Sequence, residues 1–159
     1  MVNRFWAIIS VVYQPPPGGS FPEPDARVNP AGIIRGVMAR VLIVEDEAII
    51  ALHLQFIAKR LGHTVCALAG TSAQAVDAID RHEPDLVLLD LFLASGSTGV
   101  EVADHLRRRS GTPYVLVTGN VSDPLMNMLG GNPPVRVVGK PFGAHQIEQA
   151  IVEALGAAA

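Results

Sequence analysis

From Arg40 onward the chain alternates between short unbroken apolar runs and longer stretches in which apolar residues recur every three or four positions. The runs are 40–44, 64–69, 85–90, 113–118 and 135–138, and each reads as a strand. Between them, 47–61 predicts a helix with Ile50, Leu54, Ile57 and Leu61 on one face. Thr71, with Gln74 three positions later, has capping-box spacing and predicts a second helix that buries Val76 and Ile79. A third helix is expected from about Val100 to Arg109, closed by Gly111. After the fourth strand only a short helix is expected: Asp123-Pro124 can start one, but Gly130-Gly131-Asn132-Pro133-Pro134 stops it early. The last helix carries Ile147, Ala150, Ile151, Ala154 and Leu155 at i, i+3, i+4, i+7 and i+8.

Five βα units with short connections imply an α/β fold, a doubly wound five-stranded parallel sheet with helices on both faces. The flavodoxin-like strand order 2-1-3-4-5 is expected. In such a sheet the carboxyl ends of the strands lie side by side in the ligand crevice. Four of the apolar runs deposit polar residues there: Glu45-Asp46, Asp90, Thr118, and Lys140 in Lys140-Pro141-Phe142. Three carboxylates, a hydroxyl and an ammonium would converge, a set that suits Mg²⁺ and a phosphoryl group. Taken singly, each has an ordinary explanation. Glu45 and Asp46 could cap a helix, Asp90 a turn; Thr118 could merely end a strand, and Lys140 could be a solvated charge. Five such residues at matched strand ends outweigh those readings together.

Composition changes this picture little. At 159 residues the chain is long enough for one domain with a proper core, and 49% hydrophobic with 17% charged residues reads as soluble and globular. A formal net charge of −3 gives no electrostatic reason to expect a nucleic-acid partner. The run Arg107-Arg108-Arg109 suits the negative end of its helix dipole. Cys66 is the single cysteine, so an internal disulfide or a zinc cluster is ruled out; in its strand it should act as a small buried hydrophobe. A reducing, cytoplasmic location is therefore expected. The five histidines have no ligand spacing and should sit at surface or helix-end positions.

Residues 1–37 differ from the rest. They hold six of the 12 prolines and are expected to form a disordered Pro/Gly-rich leader, with the folded domain at 38–159. The apolar run Phe5 to Tyr13 is far shorter than the roughly 20 residues that span a bilayer, so no membrane association is expected. Arg4 precedes it, as in a signal peptide, but no small-x-small cleavage site follows. Met38 is an alternative start, because the periodic sequence begins at Ala39.

The residues at the strand ends resemble the receiver domain of two-component response regulators. The resemblance covers about residues 39–156 and rests on Glu45-Asp46, Asp90, Thr118 and Lys140-Pro141-Phe142. The successive spacings, 44 residues from Asp46 to Asp90, 28 on to Thr118 and 22 on to Lys140, fall within the range such receivers show. The resemblance implies that Asp90 accepts a phosphoryl group from a sensor histidine kinase or a histidine phosphotransfer protein. It implies Mg²⁺ held by Asp46 and Asp90 directly, by Glu45 partly through water, and by the main-chain carbonyl of Phe92. Lys140 would pair with Asp90 before transfer and with the phosphoryl afterwards, favouring the ionised aspartate. Thr118 would donate its hydroxyl to the phosphoryl, and the Lys140–Pro141 bond is expected to be cis. Beyond its own autophosphorylation and autodephosphorylation such a protein is not an enzyme.

Three departures from the family pattern stand out. Val137 occupies the position of the usual switch aromatic, Gly119 follows Thr118 where alanine is common, and the Asp90–Gly99 loop is one residue longer than in chemotaxis-type receivers. The last two features resemble receivers of the alphaproteobacterial stress-response group. With Val137 in place, output is expected to run through Thr118, the 119–124 loop and the apolar segment Leu125 to Leu129. Only Gly156-Ala157-Ala158-Ala159 follows the last helix, so a single-domain regulator signalling to an unknown downstream protein is expected. Two alternatives stay open: an interaction module with vestigial phosphorylation, and an Mg²⁺-dependent aspartyl-phosphate phosphatase. The second wants an aspartate two residues past the nucleophile, where this chain has Phe92.

Overall fold

Strand β1 (Arg40–Val44) is an interior strand of a five-stranded sheet, where every residue after Arg40 in it is apolar and is covered on both faces. The computed structural model describes residues 38–119, 124–129, 131 and 133–157. The expected leader, 1–37, and residues 120–123 of the 119–124 loop lie outside the described residues. The other strands are β2 (Thr64–Ala69), β3 (Leu86–Leu89), β4 (Tyr114–Thr118) and β5 (Arg136–Gly139). They pair in parallel in the order β2-β1-β3-β4-β5, as expected. β1, β3 and β4 are buried along almost their whole length, while the edge strands β2 and β5 are only partly covered.

The helices are α1 (Ala48–Arg60), α2 (Ser72–His82), α3 (Gly99–Arg109), α4 (Pro124–Met128) and α5 (Ala144–Ala157). Side chains alternate across each strand, so Leu42, Val44, Val87, Leu89 and Leu116 face α2 and α3 in one core. That core also takes Ala75, Ile79, Val102 and Leu106 from the helices and Tyr114 from β4. α1 and α5 pack together over the opposite face, where Leu54, Ile57, Ile147 and Ile151 are fully buried. The ion pair between Arg60 and Glu148 ties these two helices at the surface.

Local chemistry ends the helices where the sequence suggested. Gly62 and Gly111 take positive φ just beyond α1 and α3. Thr71 accepts from Gln74 N–H (3.2 Å) to start α2, but Gln74 Oε1 returns to Gly70 N–H (2.8 Å), one residue earlier than a capping box requires. The basic last turn of α3 is paired, Arg107 and Arg108 with Asp104 and Arg109 with Asp80.

Several burial expectations shift by a fraction of a turn. α2 buries Ala75, Ala78 and Ile79, leaving Val76 only half-covered, and Ile50 and Leu155 are likewise half-buried. Leu129 packs in the core, while Met128 is exposed, so the segment after β4 is not a uniformly exposed apolar surface. The side chains of Leu125 and Met126 lie outside the described residues. Cys66 is half-buried and sits at an irregularity of β2: Val41 pairs with Val65 and Leu42 with Ala67, so Cys66 is the extra residue. Its thiol donates to Val41 O (3.4 Å), and burial raises its pKa. Among the described residues no helix is long and apolar enough to cross a membrane.

Candidate phosphoacceptor site

Three of the candidate residues are anchored by a main-chain bond at the end of a strand. Glu45 N–H donates to Ala69 O of β2 (2.8 Å), Asp90 N–H to Val44 O of β1 (2.9 Å), and Lys140 N–H to Thr118 O of β4 (2.7 Å). Parallel pairing thus delivers four chain segments to one end of the sheet, where the crevice of such folds forms. Thr118 is fully buried and lies beside Gly139, its pairing partner in β5. The Lys140–Pro141 bond is cis, as expected.

Lys140 Nζ lies 2.6 Å from Asp90 Oδ2, 2.7 Å from Glu45 Oε2 and 3.8 Å from Glu47 Oε1. The Glu45 and Asp90 side chains are almost wholly buried, whereas Asp46 is exposed. Burial pulls the lysine's pKa down, but hydrogen bonds and charge from Asp90 and Glu45 outweigh it, leaving the ammonium above its ordinary value. Burial raises the Glu45 carboxyl, only partly countered by Lys140 and by the Glu47 N–H that reaches Glu45 Oε1 (3.1 Å). Glu45 Oε2 is buried, with the Lys140 ammonium 2.7 Å away.

Oxygens of Glu45, Asp46 and Asp90 all lie within 4.8 Å of one another. Two ligands on opposite sides of one Mg²⁺ stand roughly 4.2 Å apart, twice its usual bond length, so small side-chain movements would let one ion reach all three. The three clustered carboxylates, with Glu47 also near the one ammonium, leave an excess of negative charge that a divalent cation reduces. The donor set is all oxygen, and with an exposed carboxylate on its rim the site is open to water. The residues present fit Mg²⁺.

Phe92 follows Asp90 by two residues, is 48% exposed, and donates its N–H to Asp90 Oδ1 (3.4 Å). An antiparallel bridge from Phe92 to Thr98 and the bond from Gly99 N–H to Leu91 O (2.8 Å) fold the loop back on itself. All the sequence-predicted residues therefore lie on the segments that meet at this end of the sheet, with Glu45, Asp46, Asp90 and Lys140 forming one cluster. Sequence reasoning passed over Glu47, the third acid in Glu45-Asp46-Glu47, which the start of α1 brings to the lysine. It also passed over His53 of α1, whose ring stacks on Phe142 at 5.5 Å, just beyond the lysine.

Comparison with known proteins agrees with this arrangement. The response regulator receiver domain family matches residues 41–152. The Phyllosphere-induced regulator PhyR of Methylorubrum extorquens is 33% identical over 117 residues, 72% of this chain and 43% of that protein. This chain thus spans less than half the length of that curated relative. The crystal structure of the response regulator PhyR from Brucella abortus superposes with a TM-score of 0.67 at 30% identity, over 77% of this chain and 49% of that one. The solution structure of the PhyR receiver domain from Erythrobacter litoralis gives 0.65 at 33% identity, over 74% of this chain and 90% of that one. The fold, the register of the strand-end residues and the family match agree: this chain belongs to the response regulator receiver domain family.

Proposed function

We propose that this receiver domain is a phosphoacceptor of a two-component phosphorelay, taking a phosphoryl group on Asp90 from a phosphohistidine of a sensor histidine kinase or phosphotransfer protein. One observation carries the reading: Lys140 is held between Asp90 and Glu45, with Asp46 completing an acidic triad at the carboxyl end of the sheet. A carboxylate oxygen of Asp90 attacks phosphorus, the phosphorus–nitrogen bond of the donor breaks with its electron pair passing to the imidazole, and a mixed anhydride forms. Glu45, Asp46, Asp90 and the Phe92 carbonyl would hold Mg²⁺, which supplies neutralisation of the equatorial oxygens. Lys140 pairs with Asp90 before transfer and is close enough to follow the phosphoryl afterwards. Thr118, buried at the next strand end, is the hydroxyl donor on that side.

The surface next to the site supports a helical donor. Ile49, Leu52 and Phe56 are 84%, 57% and 62% exposed and form a stripe along α1, which begins two residues after Asp46. A solved relative from Bartonella quintana, 30% identical with a TM-score of 0.65, is described as the anti-anti-sigma factor PhyR. That likeness supports signalling by contact with a downstream protein. In this reading the domain acts in the cytoplasm, with autophosphorylation and autodephosphorylation as its own chemistry. The test is incubation with acetyl phosphate followed by intact mass. One phosphoryl mass should appear with Mg²⁺ and none with a chelator; an adduct of equal yield in both would refute the reading.

A further inference from the structure

The loop that carries Phe92 is tied at two ends. At its base Gly99 packs on the main chain of Asp90. Its arms are cross-linked by Leu93 N–H to Ser97 O (3.2 Å), and a 3₁₀ turn at Ala94–Gly96 makes the bend. The tip then reaches across to the junction of β2 and α2. Ala94 N–H donates to Gly70 O (2.9 Å), and Ser97 Oγ accepts from Ser72 N–H (3.1 Å) while donating to Ala94 O (2.8 Å).

Ser72 is the first residue of α2, and its N–H is one of the donors that a helix leaves without an internal partner. The helix's own cap, Thr71, is spent on Gln74. The Ser97 hydroxyl therefore does two things at once: it caps α2 from another part of the chain, and it closes the turn of the loop. We infer that Ser97 is a positioning residue for the metal site, holding the Phe92 arm in register by clamping the loop tip to α2; this rests on the Mg²⁺ reading above. Groups behind a metal ligand commonly set its affinity by about tenfold or more when removed.

The test compares three variants of the full chain by calorimetric Mg²⁺ titration. Ser97→Ala should weaken Mg²⁺ about tenfold. Ser97→Thr keeps the hydroxyl, and the extended backbone at this position (φ −76°, ψ 158°) suits a β-branched residue, so its affinity should return to within about twofold of the wild type. Thr71→Ala removes the neighbouring cap of the same helix without touching the loop, and should lower stability but leave Mg²⁺ affinity unchanged. In the metal-free protein, amide exchange of residues 92–98 should speed up in Ser97→Ala alone. Wild-type affinity in Ser97→Ala, or an equal loss in Thr71→Ala, would overturn the inference while the metal reading stands. Failure of the wild type to bind Mg²⁺ would overturn that reading, and the inference with it.

Discussion

Gly99 opens α3 directly against Asp90: a Cβ at position 99 would run into the Asp90 carbonyl oxygen and stand 3.0 Å from its carbonyl carbon. Neither partner can yield easily, because both are main chain and Asp90 N–H is already held by Val44. Gly99→Ala should therefore destabilise the domain by about 3 kcal/mol, the upper range for overpacking, and displace Asp90 as well. Urea unfolding measures the first effect; a loss below about 1 kcal/mol would show that the loop relaxes freely.

Tyr114 gives the fold an alkaline limit. Its ring is 1% exposed, and burial pushes its pKa from 10.0 up to about 12. A raised acid favours the neutral form in the folded state, so its contribution is complete below pH 10.0 and is lost as pH rises towards about 12. Chemical denaturation at pH 8 to 12, together with tyrosinate absorbance, should show stability falling as Tyr114 ionises. Tyr114→Phe should unfold at a higher pH than the wild type; an identical alkaline midpoint would contradict the assignment.

Asp46 is the exposed member of the acidic triad, so its removal should separate metal binding from folding. Asp46→Ala is expected to lose Mg²⁺ binding while the metal-free melting temperature stays level or rises, because one of three crowded negative charges is gone. Calorimetric titration with a thermal melt checks both halves. Binding like that of the wild type would remove Asp46 from the ligand set.

The parallel sheet was legible because apolar runs such as Leu86–Leu89 are too short for helices and alternate with helical periods, and their carboxyl ends locate Asp90 and Thr118. Helix phase was less legible. Ala75 and Ala78 carry weak hydrophobic signals, yet they turn inward while Val76 stays half-covered. Conversely Ile49, Leu52 and Phe56 are as apolar as any core residue, and only packing of the opposite face of α1 leaves them outside. The strand-end chemistry could be read because strand spacing fixes it. The clamp at Ser97 could not, since it depends on a turn in which Ser95 takes φ 61° and on a contact 25 residues away in sequence.

Asp90, its carboxylate 2.6 Å from Lys140, is proposed as the sole phosphoacceptor. Asp90→Asn preserves shape and removes the nucleophilic carboxylate, so it separates this residue from every other acid in the chain. With acetyl phosphate and Mg²⁺, intact-mass analysis should give one phosphoryl group on the wild type and none on Asp90→Asn. An adduct of undiminished yield on the variant would place the phosphoryl on another residue and contradict the account.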